Sequence, residues 1–456
     1  WKEMARFLSP LLQMDERILA QKIQPRIVRY QTNGEPVFDQ HVVLKNKVKV
    51  EDWEKIHDAL AKRSFGMDET TLTKAQQTEL RYLRKSVFTE EDQLRVYPNQ
   101  SLAAHVLGYV GAGDGGELLG RNGIELSMEA QLAGVRGWRR TELDNRRREL
   151  VAYRDQDVEA RDGMNVFLTI DAALQNIVES ELANAMREHT PISASAIMVR
   201  PRTGEILAMA TLPNFDPNRP GAFSMDALRN RVICDIAEPG STFKIVVVSG
   251  ALNDNVVKLS DSFHCENGRF LYGGRILHDH ESYGPLTVEG IITKSSNIGA
   301  AKIGIKMGAD QLYDYIRNFG FGTRTGLPLG GEVGGIVHPV KDWSKVSIAQ
   351  IPMGHGIAAT PLQMVMAMSA IANDGRLMRP MLIDHLEDEK GKAVAKYQPQ
   401  VVREVVSSTA AREMVQALKT VVSKNGTAEK AKLDHYTVAG KTGTAHKAVG
   451  GSYSAD

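Results

Sequence analysis

From Asp171 onward the apolar positions fall three and four apart, placing Leu174, Ile177, Val178 and Leu182 on one face of a helix. Asp171 is its N-cap, and the helix is expected to end near Arg187. The period then drops to two in SASAIMVRP and EILAMATL, and the turn Arg202-Thr203-Gly204 between them predicts a hairpin. A long, mostly helical middle follows. Within it, Thr360-Pro361-Leu362-Gln363 has capping-box spacing with proline at the first helical position, so a helix should open there and stop at Gly375. HYTVAGKTGTAHKA, His435 to Ala448, alternates as a strand does, and Gly440 and Gly443 would let another backbone approach closely.

The chain before Asp171 is mixed. Helical patterns cover Val50 to Lys62 and Thr73 to Lys85, and a turn-rich region runs from Gly108 to Glu125. Arg139 to Asp162 is charged without a long apolar run and is expected to be exposed strand and linker. These signals place a domain boundary near residue 160, giving domains 1–160 and 161–456. Helix, hairpin, helical middle and late strand predict a layered α/β (α+β) domain whose antiparallel sheet is built from both ends of the segment. No repeat or low-complexity tract interrupts it.

Composition narrows the function classes. A chain of 456 residues, 42% hydrophobic and 24% charged, buries a large core in more than one domain. The 56 basic and 55 acidic residues leave a net charge of +1, no field that would gather nucleic acid or an anionic membrane. The basic residues of 139–162 are interleaved with acidic ones, which makes that segment a solvated surface. Cys234 and Cys265 lack the number and spacing of a zinc site or disulfide framework. The most apolar stretch, Ile348 to Ala372, is broken by Gln350, Pro352, His355 and Pro361, so it is not a membrane span. A chain running from Trp1, without methionine, to Asp456 just after a strand-like run reads as a fragment, and a membrane anchor would belong to a flanking segment.

The chemistry concentrates in EPGSTFKIVVVSGAL, Glu238 to Leu252. Pro239-Gly240 breaks the preceding element, Ser241 opens a helix, and one turn brings Lys244 onto the serine's face. The run Ile245 to Val248 buries that helix, and burial lowers a lysine's pKa toward neutrality. A neutral amine can accept the serine proton, so Lys244 is a candidate general base and Ser241 a candidate nucleophile. The alternative is that Ser241 only caps a core helix while Lys244 extends to the surface.

Two further motifs bear on that choice: Ser295-Ser296-Asn297 at the start of a helical run, and Lys441-Thr442-Gly443-Thr444 in the late strand. SxxK, SxN and KTG occur in that order in penicillin-binding proteins and class A β-lactamases. A second SxN, Ser423-Lys424-Asn425, precedes an Asn-Gly turn and is assigned to a surface loop. RVYPNQSLAAHVLGYVG (Arg95 to Gly111), GIELSMEAQLAGVRG (Gly123 to Gly137), GEILAMATLPNFDPN and DWSKVSIAQIPMGHGIAATPLQMVMAMSAIANDG extend the likeness. The chain resembles a class B penicillin-binding protein, a serine D,D-transpeptidase of peptidoglycan synthesis. In the DWSKVSIAQ and GRNGIE contexts it is most like the division-specific, septal branch.

The resemblance implies a penicillin-binding transpeptidase fold: an antiparallel sheet sandwiched by helices, plus an all-helical lobe. An elongated mixed α/β pedestal of the dimerisation type, residues 1–160, would precede it. It also implies that the sheet strands and final helix following KTG lie beyond Asp456, so that 161–456 is C-terminally incomplete. By the same resemblance Ser241 would attack the penultimate D-Ala carbonyl of a D-Ala-D-Ala stem peptide, and Lys244 would take its proton. Ser295 and Asn297 would hold the lysine and relay a proton to the leaving amine. Lys441 would supply positive charge across the cleft, and the Thr442 and Thr444 hydroxyls would hold the terminal carboxylate. Gly443 would let substrate lie along the strand, and the N–H groups of Ser241 and Thr444 would form an oxyanion hole. A second stem peptide's amine would complete the cross-link, and β-lactams would acylate the same serine. No cofactor is implied. The implied setting is the periplasmic face of the bacterial cytoplasmic membrane, on a single N-terminal anchor, with a membrane glycosyltransferase and divisome proteins as partners.

Three rival functions share parts of this pattern. A serine β-lactamase carries the trio but needs rapid deacylation. A β-lactam sensor keeps the acylation step alone, and a non-catalytic scaffold needs none of the trio. His278 and His280 flank Asp279 but have no third ligand, so they are read as loop or packing residues. Gly354-His355-Gly356 is read as a tight turn near the cleft, and Met364, Met366 and Met368 as core.

Overall fold

Amphipathic spacing builds the first elements of the computed structural model, which describes all residues except 33, 40, 47, 69, 90–93, 114–116, 145–148, 152–155, 446–447, 450–451 and 454–456. The chain divides by packing into two units, Trp1–Val96 and Tyr97–Asp456. In the first, α1 (Lys2–Leu12) and α2 (Glu16–Ile23) precede a short antiparallel pair, β1 (Ile27–Tyr30) and β2 (Pro36–Phe38). Helices α3 (Val50–Lys62) and α4 (Lys74–Lys85) then fall where the pattern placed them, the second capped by Thr73 in a reciprocal box with Gln76. Met4, Ala5, Leu8 and Leu12 of α1 pack with Leu19, Ile56 and Leu60 into this unit's core.

The second unit begins at Tyr97, whose N–H donates to Asn218 Oδ1 at 2.9 Å, and Ala103 N–H donates to Glu179 Oε1 at 2.8 Å. This division by packing is a different quantity from the composition change near residue 160. In the charged segment before that change, strands Trp138–Arg140 and Gln156–Val158 pair antiparallel, exposed, with Arg139 and Asp157 in ionic contact at 3.0 Å.

The sheet is assembled from segments far apart in sequence. β3 (Asn165–Leu168) leads into α5 (Ala172–His189), and β4 (Ala194–Val199) and β5 (Ile206–Leu212) form the expected hairpin. Asp171 caps α5 by accepting from the N–H groups of Ala173 and Leu174. The face differs from the expected one: Ile177 is exposed and Gln175 is buried. The Gln175 amide donates to the Met209 carbonyl at 2.9 Å and accepts from the Met209 N–H at 2.8 Å, so it satisfies a strand's free edge where an apolar side chain could not.

The helical part is built around α6 (Lys244–Asn253), whose residues from Lys244 to Leu252 are all buried. Phe243, just before it, meets Phe321 edge to face at 5.1 Å. Next come the hairpin β6 (Arg269–Tyr272) and β7 (Arg275–His278), then α7 (Val288–Lys294) and α8 (Asn297–Met307). α9 (Pro361–Ala372) has the predicted capping box between Thr360 and Gln363, and Met366 lies in the core with Met364 and Met368 packed against it. β8 (Ile383–Glu387) pairs antiparallel with both β3 and β9 (Ala393–Lys396), and α10 (Ser408–Val421) packs on α6 and α7. The Thr169 hydroxyl lies 2.7 Å from the Ile206 carbonyl and 2.9 Å from that of Met381, tying β3, β5 and the entry to β8 together.

One expected element, the strand over 435–448, is absent among its described residues up to 445; residues 446–447 lie outside the described residues. Residues 437–445 belong to no helix or strand, and no described strand takes up their backbone groups in a ladder. The Gly440 N–H donates instead to the Leu418 carbonyl of α10. The sheet therefore joins β3 to β8, from early and late parts of the segment as expected, without residues 435–445.

Thr360→Ala removes one half of the α9 capping box and is expected to lower stability by about 1 kcal/mol, with Thr360→Ser retaining most of it. A shift in the denaturant midpoint with unchanged slope checks this.

Candidate active site

Ser241 sits in a 3-10 turn, Gly240–Phe243, that runs straight into α6. Pro239 fixes the entry, and Gly240 takes φ +53, a conformation costly for a residue with a Cβ. The turn stacks Lys244 over Ser241, and Lys244 Nζ lies 3.0 Å from Ser241 Oγ. Ser241 makes no cap hydrogen bond with its side chain, and Lys244 is fully buried; the reading of a surface lysine beside a capping serine is excluded.

Ser295-Ser296-Asn297 occupies the junction of α7 and α8. Ser295 ends α7 in the left-handed region at φ 59, and Ser296 caps α8 by accepting from the Gly299 N–H at 2.9 Å. Serine and asparagine suit such a junction because their short polar side chains bond to nearby backbone. The kink turns both the Ser295 carbonyl, at 2.6 Å, and its hydroxyl, at 3.2 Å, onto Lys244 Nζ. Asn297 Oδ1 accepts from the same amine at 2.9 Å, while Asn297 Nδ2 donates to the His278 carbonyl at 3.0 Å. That second bond fixes which end of the amide faces Lys244.

Lys441 closes the cluster. Its ammonium donates to Ser295 Oγ at 2.8 Å and to the Thr442 carbonyl at 2.9 Å. A Cβ on Gly443 would stand 2.7 Å from Thr242 Cγ2, and one on Gly240 would stand 2.3 Å from the Thr444 carbonyl oxygen. Gly443 and Thr444 thus lie directly against the serine turn, as the glycine's place in the motif leads one to expect. Thr442 is the exception, its hydroxyl being 2.8 Å from that of Thr427. Ser423, Lys424 and Asn425 lie exposed after α10.

The electrostatics favour an uncharged Lys244. Burial pushes its pKa well below the ordinary lysine range, and the neighbouring Lys441 charge pushes the same way, against the pull of Asp279. Lys441, also desolvated, is lowered to about 8. Near neutrality one amine is then a base and the other still a cation. The Ser295 carbonyl and Asn297 Oδ1 can only accept, so they take the two protons of a neutral Lys244 amine and leave its lone pair for a hydroxyl.

Several neighbours have no counterpart in the motif trio. Asp279 accepts from the N–H groups of Asn297 and Ile298 and from the Ser296 hydroxyl. Cys265 Sγ lies 3.3 Å from Ser296 Oγ, and both cysteines are free. The Gly354-His355-Gly356 turn packs on the serine turn: the Gly240 N–H donates to the Gly354 carbonyl, and Glu238 contacts His355 Nδ1 and accepts from the Gly356 N–H. Among the described residues no group of three His, Cys, Asp or Glu side chains is placed to hold a metal. The only sequence signal for Asp279 was its position at the end of a Gly-Gly hairpin, which does not say where a carboxylate lands.

A serine, two lysines and an SxN kink thus share one buried cluster, in the motif order of the penicillin-recognising class. The chain belongs to the penicillin-binding protein transpeptidase family, whose domain matches residues 194–456, while the penicillin-binding protein dimerisation domain matches residues 1–168. It is similar to stage V sporulation protein D of Bacillus subtilis, 33% identical over 377 residues, covering 81% of this chain and 57% of that protein. It is equally similar to peptidoglycan D,D-transpeptidase FtsI of Escherichia coli, 33% identical over 371 residues, covering 80% and 60%. The chain thus spans somewhat under two thirds of these relatives' length. Among solved structures, penicillin binding protein 3 of Mycobacterium tuberculosis in its apo form superposes with a TM-score of 0.71 at 33% identity, covering 80% of this chain and 79% of that one. The same protein complexed with ampicillin also gives 0.71, covering 80% and 78%. Membership of the class B, septal branch agrees with these relatives.

Gly240→Ala would force a Cβ into the Thr444 carbonyl and hold a left-handed turn without glycine. It is expected to destabilise the chain by roughly 1–2 kcal/mol or more. A thermal midpoint equal to the parent's would show that the two backbones do not meet.

Proposed function

We propose that this chain carries the catalytic site of a peptidoglycan D,D-transpeptidase, with Ser241 as the acylated nucleophile. The observation that carries this reading is the buried Lys244 amine, held by two acceptors with its lone pair free for the Ser241 hydroxyl.

In the forward direction Ser241 Oγ attacks the carbonyl carbon of the penultimate D-Ala as its proton passes to Lys244. The N–H groups of Ser241 and Thr444 receive the charge that develops on the carbonyl oxygen. When the peptide C–N bond breaks, the departing amine takes the proton from Lys244 by way of the Ser295 hydroxyl, which lies within reach of both lysines. The amine of a second stem peptide then attacks the ester, forming the cross-link and returning the proton to Ser241. Lys441 and Thr444 supply the charge and hydroxyl that suit the donor's terminal carboxylate, whereas the Thr442 hydroxyl is turned to Thr427, and Asn297 keeps Lys244 in register. A β-lactam presents a strained acyl group to the same serine.

The relatives' names support a role in septal or sporulation wall synthesis, and the match of residues 1–168 to the dimerisation domain supports a pedestal ahead of a transpeptidase domain, with the boundary near residue 160. In that setting the protein works at the periplasmic face of the cytoplasmic membrane on an N-terminal anchor, with a glycosyltransferase and divisome proteins as partners. No helix among the described residues is long and apolar enough to cross a membrane.

Fluorescent penicillin is expected to label the chain stably and to leave Ser241→Ala unlabelled. A label lost within minutes would indicate a β-lactamase, and no label would overturn acyl transfer at Ser241.

The acylation rate should also be bell-shaped in pH. It rises as Lys244 loses its proton through a depressed pKa, and falls as Lys441 discharges at about 8. Rate constants from intact-protein mass spectrometry across that range check the alkaline limb, which Lys441→Arg should move upward because guanidinium stays charged.

A further inference from the structure

Asp279 follows directly on the last residue of β7 and meets the first turn of α8 edge on. Its Oδ1 accepts from the Asn297 N–H at 2.5 Å and the Ile298 N–H at 3.0 Å, and its Oδ2 accepts from the Ser296 hydroxyl at 2.7 Å. A helix start leaves its first N–H groups without intrahelical partners, and its own cap residue or water can take them. α8 already has its own cap, Ser296 Oγ accepting from the Gly299 N–H, and its residues Ile298 to Ala301 are held by the core. The carboxylate comes from another element, and all its bonds fall on the SxN motif or the residue after it. Next to it in the chain, the His278 carbonyl accepts from Asn297 Nδ2 at 3.0 Å. Residues 278 and 279 thus hold both the backbone and the side chain of Asn297. Were the strand end to drift, nothing in this contact would prevent the amide from turning its NH2 toward Lys244, where donor would face donor.

We propose that Asp279 is a positioning residue of the acyl-transfer site, fixing the start of α8 so that Asn297 Oδ1 and the Ser295 carbonyl both meet the Lys244 amine. This rests on the transpeptidase reading above for its catalytic consequence, though not for its geometry. The carboxylate also acts on Lys244 through space, favouring the charged amine and opposing burial and Lys441. The other titratable groups around it are the Cys265 thiol against Ser296, which Lys302 also influences, and the Tyr283 phenol, with His278 and His280 flanking it in the chain.

The two roles separate by substitution. Asp279→Ala removes every acceptor, whereas Asp279→Asn keeps an oxygen for the two N–H groups and can donate to Ser296 Oγ, losing only the charge. Acylation of the full chain by fluorescent penicillin is expected to slow about ten- to a hundredfold in Asp279→Ala at its optimum pH, and to stay near the parent's in Asp279→Asn. Without the carboxylate, protonated Lys244 loses a stabilising partner, so its pKa falls. The acid limb in Asp279→Asn should therefore move to lower pH. Carbon-13 NMR of chains labelled at lysine Cε reads the same Lys244 shift without any substrate.

Slowing in Asp279→Ala that matches only its unfolded fraction, together with an unmoved Lys244 titration in Asp279→Asn, would overturn the proposal while labelling of the parent left the transpeptidase reading intact. A parent chain that takes no label while Lys244 shifts as expected would instead sink the transpeptidase reading and keep the positioning role.

Discussion

Everything chemical in this chain depends on burying the Lys244 amine without giving it a carboxylate. Its hydrogen-bond partners are a backbone carbonyl, an amide oxygen and two hydroxyls, all uncharged. A carboxylate in any of these places would repay part of the desolvation and hold the ammonium form. The nearest acidic influence, Asp279, has both oxygens taken by the start of α8, so it acts on Lys244 through space alone. The second amine, Lys441, adds repulsion. The apolar walls of α6 are part of this chemistry, since the side chains from Ile245 to Val248 exclude the water that would otherwise restore the charge.

The SxN motif gains its meaning from a single unusual backbone conformation. Ser295 is not a glycine, yet it sits at φ 59, a state that costs about 1–2 kcal/mol. There it offers two groups to one amine and shares its hydroxyl with a second. A residue continuing the α7 helix would keep its carbonyl within the helix, and a glycine would have no hydroxyl to share. The motif thus requires a polar side chain at a helix C-cap, which is why the serine and asparagine fall on opposite sides of a kink rather than on one helical face.

Much of this was legible from spacing. Three residues in a turn bring Ser241 and Lys244 together whatever surrounds them, and the capping residues Thr73, Asp171 and Thr360 announce their helices because the signal is local. What failed was information about partners. Alternation in 435–448 suggests a strand, but a strand exists only where a neighbour takes its backbone bonds, and here the described neighbours are α10 and the serine turn. Ile177 has the right spacing for the core face of α5, yet the Met209 backbone required an amide, and Gln175 turned inward instead. Asp279 was noted only as the residue between His278 and His280, because its role lies in contacts 17 to 19 residues away.

Glycine explains how such distant segments form one cleft. Gly354, at φ +85, could not carry a Cβ without meeting the Gly240 carbonyl oxygen at 2.0 Å, and Gly240 stands in the same relation to Thr444. The turn at 354, the serine turn and the KTG segment are therefore stacked backbone on backbone, with no side chain between them. Side chains at such contacts can change rotamer, whereas peptide groups in contact cannot yield without moving the chain. The N–H groups of Ser241 and Thr444 belong to this stack. For the proposed acyl transfer, two such donors serve an oxyanion best when they need not reorganise as charge appears. Gly240 and Gly354 thus do for these N–H groups what Ser295 and Asn297 do for Lys244: they fix a polar group in place by contact with backbone.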